Sequence, residues 1–196
     1  MAIKRLYVHD RIYEPVCQEL AQLARTVKVG DGLDPSTEIG PIQNKVQFDR
    51  VVGILEDTKT IPGVRILGGG HVLDRPGYFI APTIVADIRE GTRLVDEEPF
   101  GPILPIIRYT DVDDAVRRAN DTRYGLGGSV WTNDLDKGSQ IAARFETGTA
   151  WVNQHRTPDP FIPFGGAKES GLGREYSTLG LKSYMEAQVI SVSRLV

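Results

Sequence analysis

The chain has 196 residues and a net charge of −3, from 23 basic and 26 acidic side chains; 40% of its residues are hydrophobic. That is enough chain to bury a core, and the composition excludes a disordered or fibrous protein. The charges are mixed with no basic block, and no apolar run approaches the ~20 residues of a membrane span, so neither nucleic acid nor a membrane is expected as a partner.

The first apolar stretch, Ile3 and Leu6 to Val8, reads as a strand that begins almost at once. Lys4 and Arg5 resemble the basic start of a signal peptide, but His9, Asp10 and Arg11 interrupt any apolar segment after them. With one cysteine, Cys17, no internal disulfide can form, and a soluble, cytoplasmic chain is expected. IYEPVCQELAQLA then places Ile12, Val16, Leu20 and Leu23 at helical spacing, with Asp10 as N-cap. TVKVG reads as a short strand, and residues 30–42 as a loop dense in Gly, Pro, Asp and Ser. A helix follows with Val51, Ile54, Leu55 and Thr58 on one face, then strands over 64–70 and 77–87.

The apolar run ILPIIRY, residues 103–109, predicts a strand buried on both faces. DVDDAVRRAND is a helix whose leading acids suit its N-terminal dipole; Val112, Ala115, Val116 and Ala119 form its buried stripe. Strands over 125–132 and 148–153 flank a helix, and a loop rich in Pro and Gly covers 154–174. A short helix and a last strand, QVISVSRLV, close the sequence. Alternating strands and helices predict an α/β domain with a largely parallel sheet flanked by helices. The last strand has no helix to cover it, so its edge pairs either inside the domain or with another subunit.

Chemistry has few obvious carriers. Cys17 lies on or beside an apolar helix face, which suits a buried structural thiol. The three histidines, His9, His71 and His155, are scattered without metal-ligand spacing, so no metal is expected. Gly171 and Gly173 lack the third glycine of a dinucleotide fingerprint, because Tyr176 stands there. In DEEPFGPIL, two prolines stiffen the backbone and Gly101 admits close approach of another group. In extended backbone Glu98 and Phe100 share a side, which suits a ribose held by a carboxylate with a flat base against the ring. The alternative is an acidic turn whose Phe plugs the core. In PFIPFGGAKESGLGRE, Phe161 and Phe164 stand among prolines and glycines, either lining a channel or pinning a surface loop.

The segments AIKRLYVHDRIY, VGDGLDPSTEIGPIQN, GYFIAPTI, EEPFGPI, ANDTRYGLGGSVWT, GTAWVN and PFGGAKESGLGRE occur in this order over almost the whole chain. In that order and spacing they resemble the C-terminal part of the aldehyde dehydrogenase superfamily, NAD(P)-dependent enzymes that oxidise aldehydes to acids. The resemblance implies that residues 1–184 are a catalytic-domain segment and 185–196 an oligomerisation strand that joins a sheet of a neighbouring subunit. It implies that Glu98 holds the nicotinamide ribose of NAD or NADP and that Phe100 flanks the nicotinamide. Phe164 matches an aromatic at the wall of the tunnel for a small aldehyde, and Asn153, Gly165 and Gly166 match positions that shape the same region.

In the family a cysteine thiolate forms a thiohemiacetal, a hydride leaves for the nicotinamide, and a glutamate-activated water hydrolyses the thioester. That cysteine stands in a pattern like G-Q-x-C-x-A-x-x-R, whose x-A-x-x-R is matched here by Met1 to Arg5. The nucleophile would therefore fall just before Met1, and Cys17 does not match it. The general-base glutamate and the Rossmann domain also lie N-terminal to the matched region. The expectation is thus a domain truncated at its N-terminus, with no catalytic residue of its own and inactive alone. The rival is a non-enzymatic paralogue that serves as an oligomerisation or interaction module.

Overall fold

The computed structural model describes residues 2–155 and 159–194. Met1 beside the expected cysteine position, residues 156–158 of the long loop and the last two residues of the closing strand lie outside the described residues. The chain divides into two compact units, one ending at Ala115 and the other beginning at Val116.

The first unit is built on a four-stranded sheet of β1 (Leu6–His9), β2 (Arg65–Gly68), β3 (Thr83–Ala86) and β4 (Ile103–Tyr109), in the order β1-β4-β3-β2. β4 runs parallel to both neighbours, and β2 is antiparallel to β3. Strand side chains alternate between faces, and here both faces are covered. Ile84, Ala86 and Ile106 point to α1 (Asp10–Thr26), where Val8, Tyr13 and Cys17 complete a core. Val85, Ile103 and Ile107 point the other way, to Val51, Ile54 and Leu55 of α2 (Lys45–Lys59) and to Leu94 and Val95 of α3 (Arg93–Asp96). Pro105 sits in the central strand because β1 starts pairing only at Ile106, beyond the missing N–H.

The buried face of α2 is the expected one: Val51, Ile54, Leu55 and Thr58. α1 differs. Its buried residues are Tyr13, Cys17 and Ala21, whereas Ile12 and Leu23 are more than half exposed. The helix is rotated toward Tyr13 because the phenol is fully satisfied inside: its hydroxyl donates to the Ile106 carbonyl at 3.0 Å and accepts from the Asp87 N–H at 2.7 Å. A count of apolar residues cannot register those two bonds. The N-cap is His9, whose Nδ1 accepts from the Arg11 N–H at 3.2 Å; Asp10 is the first helical residue. TVKVG is not a strand either. Thr26 ends α1, and only Val29 pairs, with Ile39, as the Asp- and Gly-rich loop folds back on it.

α4 (Val112–Asn120) carries the chain into the second unit. There β6 (Gly127–Val130) and β7 (Thr149–Val152) run parallel, joined through α5 (Leu135–Ala142), which Asp134 caps by accepting from the Lys137 N–H. Gly138 lets α5 settle onto Val152, since a Cβ there would come within 2.8 Å of that side chain. The expected strand over 125–132 is two strands with different partners. β5 (Tyr124–Gly125) pairs antiparallel with β8 (Ala167–Lys168), a strand inside the long loop. After α6 (Ser177–Lys182), residues 185–194 form no strand ladder among the described residues, and Val189, Ile190 and Val192 are exposed. A strand is stable only where its N–H and C=O groups meet another edge.

Candidate functional site

In the first unit the loop after α3 carries two adjacent glutamates with different fates. Glu97 is bound by Arg93 at 2.8 Å and by Arg50 at 3.3 Å. Its hydrogen bond from Arg93 holds its carboxyl below the usual range. Glu98 is exposed and accepts no hydrogen bond among the described residues. Of the two, only Glu98 has a carboxylate free for a ligand.

Phe100 does not plug the core: its ring is 75% exposed. Its backbone is also not extended, since φ is +50°, so the shared side inferred from an extended run does not describe this loop. The turn is held from beneath. Pro99 is buried and its carbonyl accepts from the Gln47 side chain, while a Cβ on Gly101 would meet Val51 at 2.9 Å. The close approach that Gly101 permits is therefore that of α2. A left-handed, non-glycine residue with an exposed ring, on a loop pinned by its neighbours, is the kind of strain that collects at ligand sites. A free carboxylate and an open aromatic face can accept hydroxyl hydrogen bonds and stack on a flat ring.

In the second unit Asn153 ends β7 at a φ of +53°, a conformation that Asn tolerates better than most residues. Both ends of its amide are bonded to one residue: Oδ1 accepts from the Thr132 N–H and Nδ2 donates to the Thr132 carbonyl, both at 2.8 Å. Asn153 therefore ties the ends of β6 and β7 together. Thr132 as its partner is invisible in the sequence, 21 residues away.

Phe164, Gly165 and Gly166 lie together on the rim of a 420 Å³ cavity that Leu126, Arg174 and Glu175 also line. Phe164 exchanges backbone hydrogen bonds with Glu175, at 2.9 and 2.7 Å, which closes the loop between them. Arg174 braces it further by donating to the carbonyls of Gly166 and Gly173. Only glycine fits at the two expected positions: a Cβ on Gly165 would meet the Gly173 oxygen at 2.6 Å, and one on Gly166 would meet Ser170 at 2.6 Å. Phe161, by contrast, is 86% exposed and plugs nothing.

Cys17 is the one cysteine of the sequence, and it is fully buried. Burial raises its thiol pKa, the reverse of what a nucleophile needs.

These motifs match known proteins throughout. The model of the aldehyde dehydrogenase family matches residues 1–190. The chain belongs to that family. Over 189 residues it is 38% identical to the mitochondrial aldehyde dehydrogenase of Leishmania tarentolae, covering 96% of this chain and 38% of that protein. Betaine aldehyde dehydrogenase of Brucella anthropi is 34% identical over 192 residues, or 96% of this chain and 39% of its own length. Among solved structures, the NAD+ complex of an aldehyde dehydrogenase from Bacillus cereus superposes with a TM-score of 0.89 at 36% identity, over 93% of this chain and 37% of that one. The chain thus spans less than half the length of the aldehyde dehydrogenases it matches. The α/β architecture described above is the aldehyde dehydrogenase catalytic-domain fold over that span.

Proposed function

We propose that this chain supplies the nicotinamide-ribose clamp and one wall of the substrate tunnel of an NAD(P)-dependent aldehyde dehydrogenase. One observation carries the reading: of two neighbouring glutamates, Arg93 and Arg50 occupy Glu97 and leave Glu98 open beside the exposed Phe100 ring. In the Bacillus cereus relative the bound ligand is NAD+. Here Glu98 would accept hydrogen bonds from the ribose hydroxyls, and Phe100 would pack against the nicotinamide. The bound cofactor's chemistry is hydride acceptance. Phe164 would form the apolar wall for the aldehyde, with Gly165 and Gly166 keeping the loop thin and Asn153 holding the strand ends in place.

The chain alone should not turn over aldehyde. Its one cysteine, Cys17, is buried between α1 and the sheet with a raised thiol pKa, so it is not placed to act as the nucleophile. NAD+ binding by the chain, followed by ligand-observed NMR, tests the clamp. Glu98→Gln should weaken binding and Glu97→Gln should not; equal effects would overturn the assignment. Formation of NADH from aldehyde and NAD+ by the purified chain would overturn the predicted inactivity.

The exposed apolar residues Val189, Ile190 and Val192 favour a second role for the same chain, self-association by strand addition. Sedimentation of the full chain against one ending at residue 184 tests it: loss of the oligomer is expected, and unchanged association would refute it.

A further inference from the structure

α3 (Arg93–Asp96) is a helix of four residues, too short to hold its own shape in water. Glu98 follows directly on its end, so that carboxylate is aimed only as well as α3 is fixed. Leu94 and Val95 bury one side of α3 in the core with Val51, Ile54 and Leu55. Burial is non-directional, and it sets how deep the helix sits. A hydrogen bond to one carbonyl also sets how the helix is turned, and with it the direction in which the next residues leave.

That bond comes from 91 residues away. A helix leaves the carbonyls of its last turn without intrahelical donors. Here the Val95 carbonyl accepts from the half-buried ammonium of Lys4, just before β1. Lysine suits the place, because its ammonium donates well to the last carbonyls of a helix. Two further ties flank this one. The Tyr7 hydroxyl donates to Glu90 at 2.9 Å in the turn before α3, and Gln47 donates to the Pro99 carbonyl beyond Glu98.

We infer that Lys4 is a positioning residue: by holding the end of α3 it keeps the Glu98 carboxylate aimed at the cofactor ribose. This rests on the reading of Glu98 as the ribose clamp. Lys4 acts through the backbone of α3 and needs no contact with the ligand.

The test uses the 196-residue chain with Lys4→Met, Lys4→Arg and Glu98→Gln. Native-state hydrogen exchange reads α3 through the Val95, Asp96 and Glu97 amides, which donate to the Thr92 and Arg93 carbonyls. Ile54 in α2 is the internal reference. Lys4→Met should speed exchange in α3 about 10-fold, the worth of one hydrogen bond to a charged group, and leave Ile54 unchanged. Lys4→Arg, which also donates, should restore slow exchange. NAD+ affinity, followed by ligand-observed NMR, should fall by up to about 10-fold in Lys4→Met, since a loop less often in its binding geometry binds less. The same change made on Glu98→Gln should cost much less, because the two residues act in series.

Unchanged exchange in α3, or equal acceleration at Ile54, would overturn the positioning role. Equal losses of affinity from Lys4→Met in both backgrounds would overturn it too. A loss in Glu98→Gln with none in Lys4→Met would overturn it and leave the clamp standing. An affinity indifferent to Glu98→Gln would overturn the clamp, and this role with it.

Discussion

Tyr13→Phe is the most informative single change in the first unit. The phenol is fully buried and ties three elements together: it sits on α1, donates to Ile106 of β4 and accepts from Asp87, just beyond β3. Phenylalanine keeps the ring and removes both bonds, leaving a buried carbonyl and a backbone N–H short of partners. At about 1 kcal/mol for each bond, with some added cost for the stranded groups, the loss near pH 8 should be about 2–3 kcal/mol. The same hydroxyl sets an alkaline limit. Burial pushes its pKa up to about 12, against about 10 in the unfolded chain.

For such a group the unfolded state loses its proton first, so stability falls as pH rises through this window. The fall amounts to about 2 kcal/mol between pH 9 and pH 11.5. Tyr13→Phe cannot lose this contribution, and titrations common to both proteins, Tyr109 among them, cancel in the difference. Urea unfolding followed by tryptophan fluorescence should therefore show the gap between wild type and variant closing as pH rises. A gap that stays constant from pH 8 to pH 11.5 would refute the reasoning, and so would a variant as stable as wild type at pH 8.

Cys17 should resist a thiol-specific disulfide reagent in the folded chain and react with one equivalent in urea; rapid native labelling would contradict its burial. Asn153→Ala should lower stability by about 1–2 kcal/mol, through two lost hydrogen bonds and a strained φ, with Asn153→Gly less harmful because it relieves only the second; chemical denaturation ranks them. Gly148→Ala would place a methyl 1.7 Å from the Gly165 carbonyl oxygen, and should cost about 3 kcal/mol or more and disturb the Phe164 loop amides in an NMR spectrum. Gly53→Ala, in α2 with open space around the added methyl, should instead raise stability by about 1 kcal/mol in the same assay.

Long periodic segments were readable without a structure. The buried face of α2 and the extent of β4 follow from spacing and from apolar residues on both sides of a strand, because burial on a regular element is a local, repeating signal. The rotation of α1 was not readable, since the two groups that let Tyr13 inside come from β4 and from the end of β3. Residues 185–194 show the same limit from the other side. Their alternation reads as a strand, but a strand is a pair, and the pattern of one member does not supply the other.

The candidate residues divide in the same way. By itself the sequence determined the family, through ordered motifs, and with it the identity of Glu98, Phe100, Asn153, Phe164, Gly165 and Gly166 as residues of interest. Only the tertiary structure decided what each is free to do. Arg93 and Arg50 reach Glu97 and leave Glu98 open, Thr132 occupies both ends of the Asn153 amide, and the Gly173 and Ser170 backbones require glycine at 165 and 166. Availability is a property of partners distant in the chain, and those partners meet only in the fold.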